Sequence, residues 1–310
     1  MIRPAHLVLG LAMILSAAGG CRAASSPNSE GAAPTTVSGR ARGLLLEDAR
    51  AIGRIRVAEL RAHLSQARID ELGEAILSRR FRLPVDISRE VDEILFAAYR
   101  YDVPDAVALL YGRFRAAELR EALAKEATVP QGTATEAPAV GGERSYRVGQ
   151  GDLYVAGDDL IVVGSRAGME RLLRRVTSAP ALRRFPLEVD ANTLAQLRAW
   201  GPRSGEELPQ VLRRQPLAAG FGEAQATLSR DGEVLVANAT VRFADAELAR
   251  EAHARVLPFA RLVPTWTRGA LPAAEVSVDG ATVEVRERID PSKLEVLVGS
   301  ATSLVSPVGR

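Results

Sequence analysis

The period of the apolar positions changes repeatedly along this chain, and each change predicts an element. Residues 50–57 carry a short strand pattern. Leu60, Leu64, Ala67, Leu72, Ala75 and Ile76 then fall on one side of a helix predicted over 58–77. Strands are predicted over 92–100 (DEILFAAYR) and 106–114 (AVALLYGRF), separated by the turn-rich Tyr101-Asp102-Val103-Pro104-Asp105. A helix over 116–126 turns Leu119, Ala122 and Leu123 inward. Residues 127–142, with Pro130, Gly132, Pro138 and the pair Gly141-Gly142, read as an exposed loop. Short strands follow over 145–148, 152–156 and 160–163, joined by Gly149-Gln150-Gly151 and Gly157-Asp158-Asp159. Ser165 then caps a helix through Val176 that carries Met169, Leu172 and Leu173 inward, and Pro180 closes this half.

The second half has a similar plan. Residues 187–197 read as a strand leading into a helical turn, and 205–214 as a short helix. Residues 224–230 and 234–243 form a hairpin over Asp231-Gly232, with Leu235, Ala237, Ala239, Val241 and Phe243 on the buried face. A helix over 245–257 is expected to stop at Pro258 or Pro264. Residues 275–278 and 282–289 make another hairpin over Asp279-Gly280, with Val283, Val285 and Ile289 facing in. Asp290-Pro291 reads as an N-cap followed by proline at the first helical position, which favours helix over 292–298; Leu294 to Val298 (LEVLV) also fits a strand.

Arg113-Phe114 followed by Ala117-Glu118-Leu119 recurs as Arg242-Phe243 followed by Ala246-Glu247-Leu248, an offset of 129 residues. The same offset carries Asp102 onto Asp231 and Gln150-Gly151 onto Asp279-Gly280. The expectation is an α+β fold: a tandem duplication of an antiparallel-sheet unit with helices packed on one face. The repeats would cover 44–178 and 179–310. Hairpins followed by helices argue against a parallel sheet, which needs a crossover between every pair of strands.

The N-terminus has a different character. Arg3 precedes the apolar run Leu7 to Leu15, too short to span a bilayer, and Ala18-Gly19-Gly20 lead into Cys21, the only cysteine of the chain. This is a secretory signal peptide over 1–20, and its end resembles the bacterial lipobox. That resemblance covers about the first twenty residues. It implies cleavage before Cys21 and a diacylglyceryl group on the Cys21 thiol. The sequence departs from the family at Ala18, where leucine is commonest, and cleavage as an ordinary secreted protein is the alternative. Arg22, rather than aspartate, follows the cysteine, which by resemblance to sorted lipoproteins implies the outer membrane, facing the periplasm. Residues 21–43, rich in Ser, Ala, Gly, Pro and Thr, form a flexible tether that lifts the body off the bilayer. The body itself loosely resembles uncharacterised envelope lipoproteins of high-GC bacteria, a likeness of pattern that names no activity.

Composition narrows the chemistry. With 40 Lys and Arg against 38 Asp and Glu the chain is nearly neutral, which gives no electrostatic case for nucleic acid. Lysine occurs only at Lys125 and Lys293. His63 and His253 each lie on a predicted helix without a second ligand at metal spacing, and HExxH, CxxC and Walker patterns are absent. Gly149-Gln150-Gly151 lacks the third glycine of a dinucleotide fingerprint, since Tyr154 stands there. Ser165 lacks the glycine two residues before it that a nucleophile elbow needs, so it reads as a helix cap. Asp158-Asp159 supplies too few oxygens for calcium. The arginine pairs 79–80, 174–175, 183–184 and 213–214 read as solvated faces, and Trp200 and Trp266 as core.

These readings point to a non-enzymatic envelope lipoprotein without cofactor, anchored in the membrane through its N-terminal lipid, which binds another, unidentified envelope protein or organises the cell envelope. The alternative is a carrier of a lipid or other apolar ligand in a groove between sheet and helices.

Overall fold

The computed structural model describes residues 49–77, 85–100, 105–127, 134–140, 143–148, 151–178, 190–201, 220–266, 269 and 272–295. Strands β1 (Ala51–Ile55), β2 (Val91–Ala98), β3 (Ala106–Gly112), β4 (Ala134–Val140), β5 (Glu143–Val148), β6 (Gly151–Val155) and β7 (Leu160–Gly164) come from the first half. The second half supplies β8 (Thr193–Trp200), β9 (Phe221–Asp231), β10 (Val234–Phe243), β11 (Glu275–Asp279) and β12 (Thr282–Ile289). All belong to a single sheet in the order β11-β12-β10-β9-β8-β1-β2-β3-β7-β6-β5-β4. The neighbours pair antiparallel, including β1 with β8, where Gly53 lies opposite Leu197.

Helices α1 (Val57–Leu60), α2 (Gln66–Leu77), α3 (Ile87–Glu90), α4 (Ala116–Ala127), α5 (Arg166–Ser178) and α6 (Ala246–Trp266) flank this sheet. Because side chains alternate across a strand, each strand contributes to two layers. On one face Ile55, Ile94, Leu110 and Ile161 pack with Val57 and Leu60 of α1, Ile69 of α2 and Leu123 of α4. On the same face, Ala239, Val241 and Val283 pack with Ala249 and Ala252 of α6. On the other face Ile52, Leu95, Leu109, Leu160 and Val162 pack with Met169 and Leu172 of α5. The expectation of helices on one face is thereby corrected. Strands β6 and β7 are buried at every position because both their faces are covered.

Four local expectations change as well. The helix predicted over 58–77 is two, α1 and α2. Arg61 is held by the carbonyls of Ser88 and Val91 and by Asp92, and the Ser65 N–H donates to Glu295 Oε1 at 2.6 Å as its carbonyl starts α2. The expected loop 127–142 contains β4, an edge strand, where Pro138 is tolerated because one side of the strand needs no donor. The helical turn expected near 197 is strand instead: β8 continues to Trp200 between β1 and β9. Helix α6 runs through both Pro258 and Pro264 to Trp266. Its stripe of small residues, Ala249, Ala252 and Ala260, lies buried, and this packing outweighs the backbone bonds that the prolines remove.

Both Asp-Gly turns are as expected, with positive φ at Gly232 (62°) and Gly280 (52°). Asp290 caps the 3-10 turn Pro291–Lys293 by accepting from Ser292 N at 2.9 Å and Ser292 Oγ at 2.8 Å, bonds that hold its carboxyl below the usual carboxylate range. Leu294 and Glu295 continue it helically, and 296–298 lie outside the described residues. The short helix expected over 205–214 also lies outside them.

Candidate functional site

Each chemically suggestive residue of the sequence that falls among the described residues can be placed. Ser165 Oγ accepts from Gly168 N at 3.0 Å and from Ala106 N at 3.2 Å. It is a cap that ties α5 to β3, and Ser165→Ala is expected to cost about 1 kcal/mol in a denaturant titration. Asp158 likewise works on backbone: its Oδ1 accepts from Ala116 N at 2.9 Å and so caps α4 from the β6–β7 turn. His63 lies 3.2 Å through Nε2 from Arg230 Nη2, whereas His253 is half-buried on α6. Trp200 is half-buried against the apolar layer beneath α5, with the Arg198 guanidinium 5.4 Å from its ring centre. Among the described residues no three His, Cys, Asp or Glu side chains converge on a metal position. Cys21, the arginine-pair side chains and the Trp266 side chain lie outside the described residues.

The fold assembles polar groups that no sequence motif marks. Asp152, 1% exposed, accepts from Arg147 Nε at 3.2 Å and from Arg166 Nη1 at 3.1 Å, and Arg166 Nε also donates to Glu170 at 2.7 Å. Asp105, 5% exposed, accepts from Arg171 Nη2 at 3.0 Å, while that guanidinium lies 4.7 Å over the Tyr99 ring. Both sets fasten α5 to the sheet.

On the same face as α5, but across β1, β8, β9, β10 and β12, the side chains are mostly polar and half-buried, with Val236 buried among them. Laterally paired residues run Arg54, Gln196, Thr227, Asn238, Arg286 in one row and Arg198, Gln225, Thr240, Glu284 in the next. Glu223 collects Arg242 Nη2 and Gln225 Nε2, each at 3.1 Å, and Arg198 Nε. Burial pushes its carboxyl up, but the bonds from Gln225 and Arg198 prevail and hold it below the ordinary range.

The opposite, apolar face buries a glutamate. Glu287 of β12 lies opposite Ala237 and between Val285 and Ile289, on the phase of the strand that faces the core. It is 6% exposed, and its Oε1 is buried without a hydrogen-bond partner among the described residues. Arg286 and Arg288 project to the other face. Burial alone pushes the carboxyl up to about 7, so it changes charge near neutral pH. The alternation that puts Val283, Val285 and Ile289 inward includes Glu287, so the signal was in the sequence.

No helix among the described residues is long and apolar enough to cross a membrane. No protein-family model matches the chain, and no curated protein sequence does. Among solved structures the chain is similar to TP0453. Its crystal form III aligns at a TM-score of 0.51 and 14% identity, over 84% of this chain and 97% of that one. Its crystal form IV aligns at 0.47 and 13%, over 85% and 96%. At such identities the likeness is one of fold.

Proposed function

We propose that the chain is a bacterial envelope lipoprotein, anchored in the outer membrane through acylated Cys21 and facing the periplasm. Its body, in this reading, is a non-enzymatic module that binds another envelope protein. The observation that carries the reading is Cys21 itself, a lone cysteine directly after Ala18-Gly19-Gly20 and a short apolar run. An acylated N-terminus attaches a folded body to a bilayer without a spanning helix. Ser165 and Asp158, the residues most open to a chemical reading, are each engaged in capping a helix.

The body is further read as a tandem duplication. What supports this is the order of strands outward from the β1–β8 pair. On one side it runs β1-β2-β3-β7-β6, and on the other β8-β9-β10-β12-β11. In each half a helix, α4 or α6, follows the third of these strands. Phe114 N donates to Asp158 O at 2.7 Å, and Phe243 N donates to Ala281 O at 2.8 Å, so the last hairpins occupy matching places. By this pairing the β6–β7 turn at Asp158, not Gln150-Gly151, answers to Asp279-Gly280. The first unit would then carry β4, β5 and α5 as additions.

Photo-crosslinking in intact cells, from probes spread over the anchored chain's exposed positions, tests the interaction reading. One reproducible protein adduct is the expected result, and no adduct from any position would remove it. A second reading, carriage of an apolar ligand, is favoured by Glu287, whose buried oxygen could accept from a ligand's polar head. Native mass spectrometry of the chain purified from membranes decides it by the presence or absence of a stoichiometric lipid.

A further inference from the structure

The sheet has two edges, and they are built differently. Edge strands expose unpaired backbone groups, and proline or like-charge opposition discourages their use by other chains. Strand β4 carries Pro138 within it. Strand β11, Glu-Val-Ser-Val-Asp, has no proline, and among the described residues it pairs with β12 alone.

The hairpin register determines what the free edge of β11 offers. Asp279 pairs with Thr282 across the two-residue turn Gly280-Ala281, followed by Ser277 with Glu284 and Glu275 with Arg286. In a two-residue hairpin the closing pair exchanges hydrogen bonds, and alternate residues after it do the same. The N–H and C=O groups of Val276 and Val278 therefore point away from β12. Val278 is 36% exposed, and with Leu262 it is one of the exposed large apolar side chains among the described residues.

The side chains select among occupants. Glu275, Ser277 and Asp279 share one face of β11 and are exposed, and Glu284 of β12 lies beside Ser277 on that face. Val276 and Val278 line the other face, toward α6. A second copy pairing antiparallel about Ser277 would set Glu275 against Asp279 twice, like charge on like charge. A strand with basic residues at alternate positions and β-branched residues between them meets acid on one face and valine on the other.

We infer that the free edge of β11 is a docking strand for an extended, alternately basic and apolar segment of another envelope protein, which adds antiparallel to the sheet through Val276 and Val278. This rests on the reading of the body as a protein-binding module and names the surface it uses. The main-chain bonds supply affinity, and the alternating side chains supply selectivity.

The test uses the full-length chain in non-ionic detergent and a fluorescent peptide of alternating lysine and valine. Binding read by anisotropy is expected to come with hydrogen-exchange protection at residues 276–278. Val278→Pro removes only an outward N–H, leaves the pairing with β12 intact, and is expected to weaken binding about tenfold. The double variant Glu275→Lys, Asp279→Lys is expected to lose the lysine peptide and to take one of alternating glutamate and valine. Should Val278→Pro unfold the chain, a peptide N-methylated along one edge makes the same test on the unaltered protein, with the same loss expected. Equal affinity for Val278→Pro or for the methylated peptide overturns the proposal, as does an absence of binding or protection elsewhere than 276–278. Such a failure is separable from that of the interaction reading, because crosslinking from other surfaces would still recover a partner.

Discussion

Replacing Glu287 with glutamine is expected to raise stability by about 3 kcal/mol at roughly pH 8 and to change it little below about pH 4. The carboxyl is surrounded by Ala237, Val285 and Ile289, and burial raises it from 4.5 to about 7. In the unfolded chain it ionises near its ordinary value. Between these two points the folded state binds the proton and the unfolded state has lost it. Stability is therefore full below about pH 4.5, declines as pH rises toward 7, and is flat above. Glutamine keeps the shape and cannot ionise, so that decline should vanish. Urea midpoints of both proteins across this range make the check, and parallel curves would show that Glu287 does not titrate as its surroundings dictate.

Leu109→Ala is expected to destabilise by about 3–4 kcal/mol, in the middle of the range for buried leucines. Leu109 is fully buried at the centre of β3, in the layer that α5 covers with Met169 and Leu172. Strands pair on both sides of β3, so the backbone cannot close on the space that the side chain leaves. Protection of the α5 amides should fall with global stability, because this layer is the apolar contact through which α5 holds the sheet. A loss below about 1 kcal/mol in a denaturant titration would contradict the packing described.

The hairpins were the most legible feature of the sequence, since Asp231-Gly232 and Asp279-Gly280 demand a backbone that few other dipeptides adopt. What failed were rules applied locally where tertiary contacts decide. Pro258 and Pro264 argue against α6, yet the alanines of its buried stripe bring it close to β10 and β12, and the helix persists. Pro138 argues against β4, yet an edge strand accommodates it. The second face of the first half escaped notice because a strand buried on both sides has no alternation, and Leu160 to Gly164 reads as one apolar run. Glu287 was missed for another reason. Its phase was visible, but a glutamate between two arginines looks like a solvated position until the strand is placed.

Membrane attachment turns on Cys21, so the decisive measurement is mass spectrometry of the N-terminal peptide of the chain taken from bacterial membranes. A peptide beginning at Cys21 and carrying a diacylglyceryl group on Sγ is predicted, with loss of membrane association in Cys21→Ala. An unmodified N-terminus, or equal membrane partitioning of the native chain and Cys21→Ala, would contradict it.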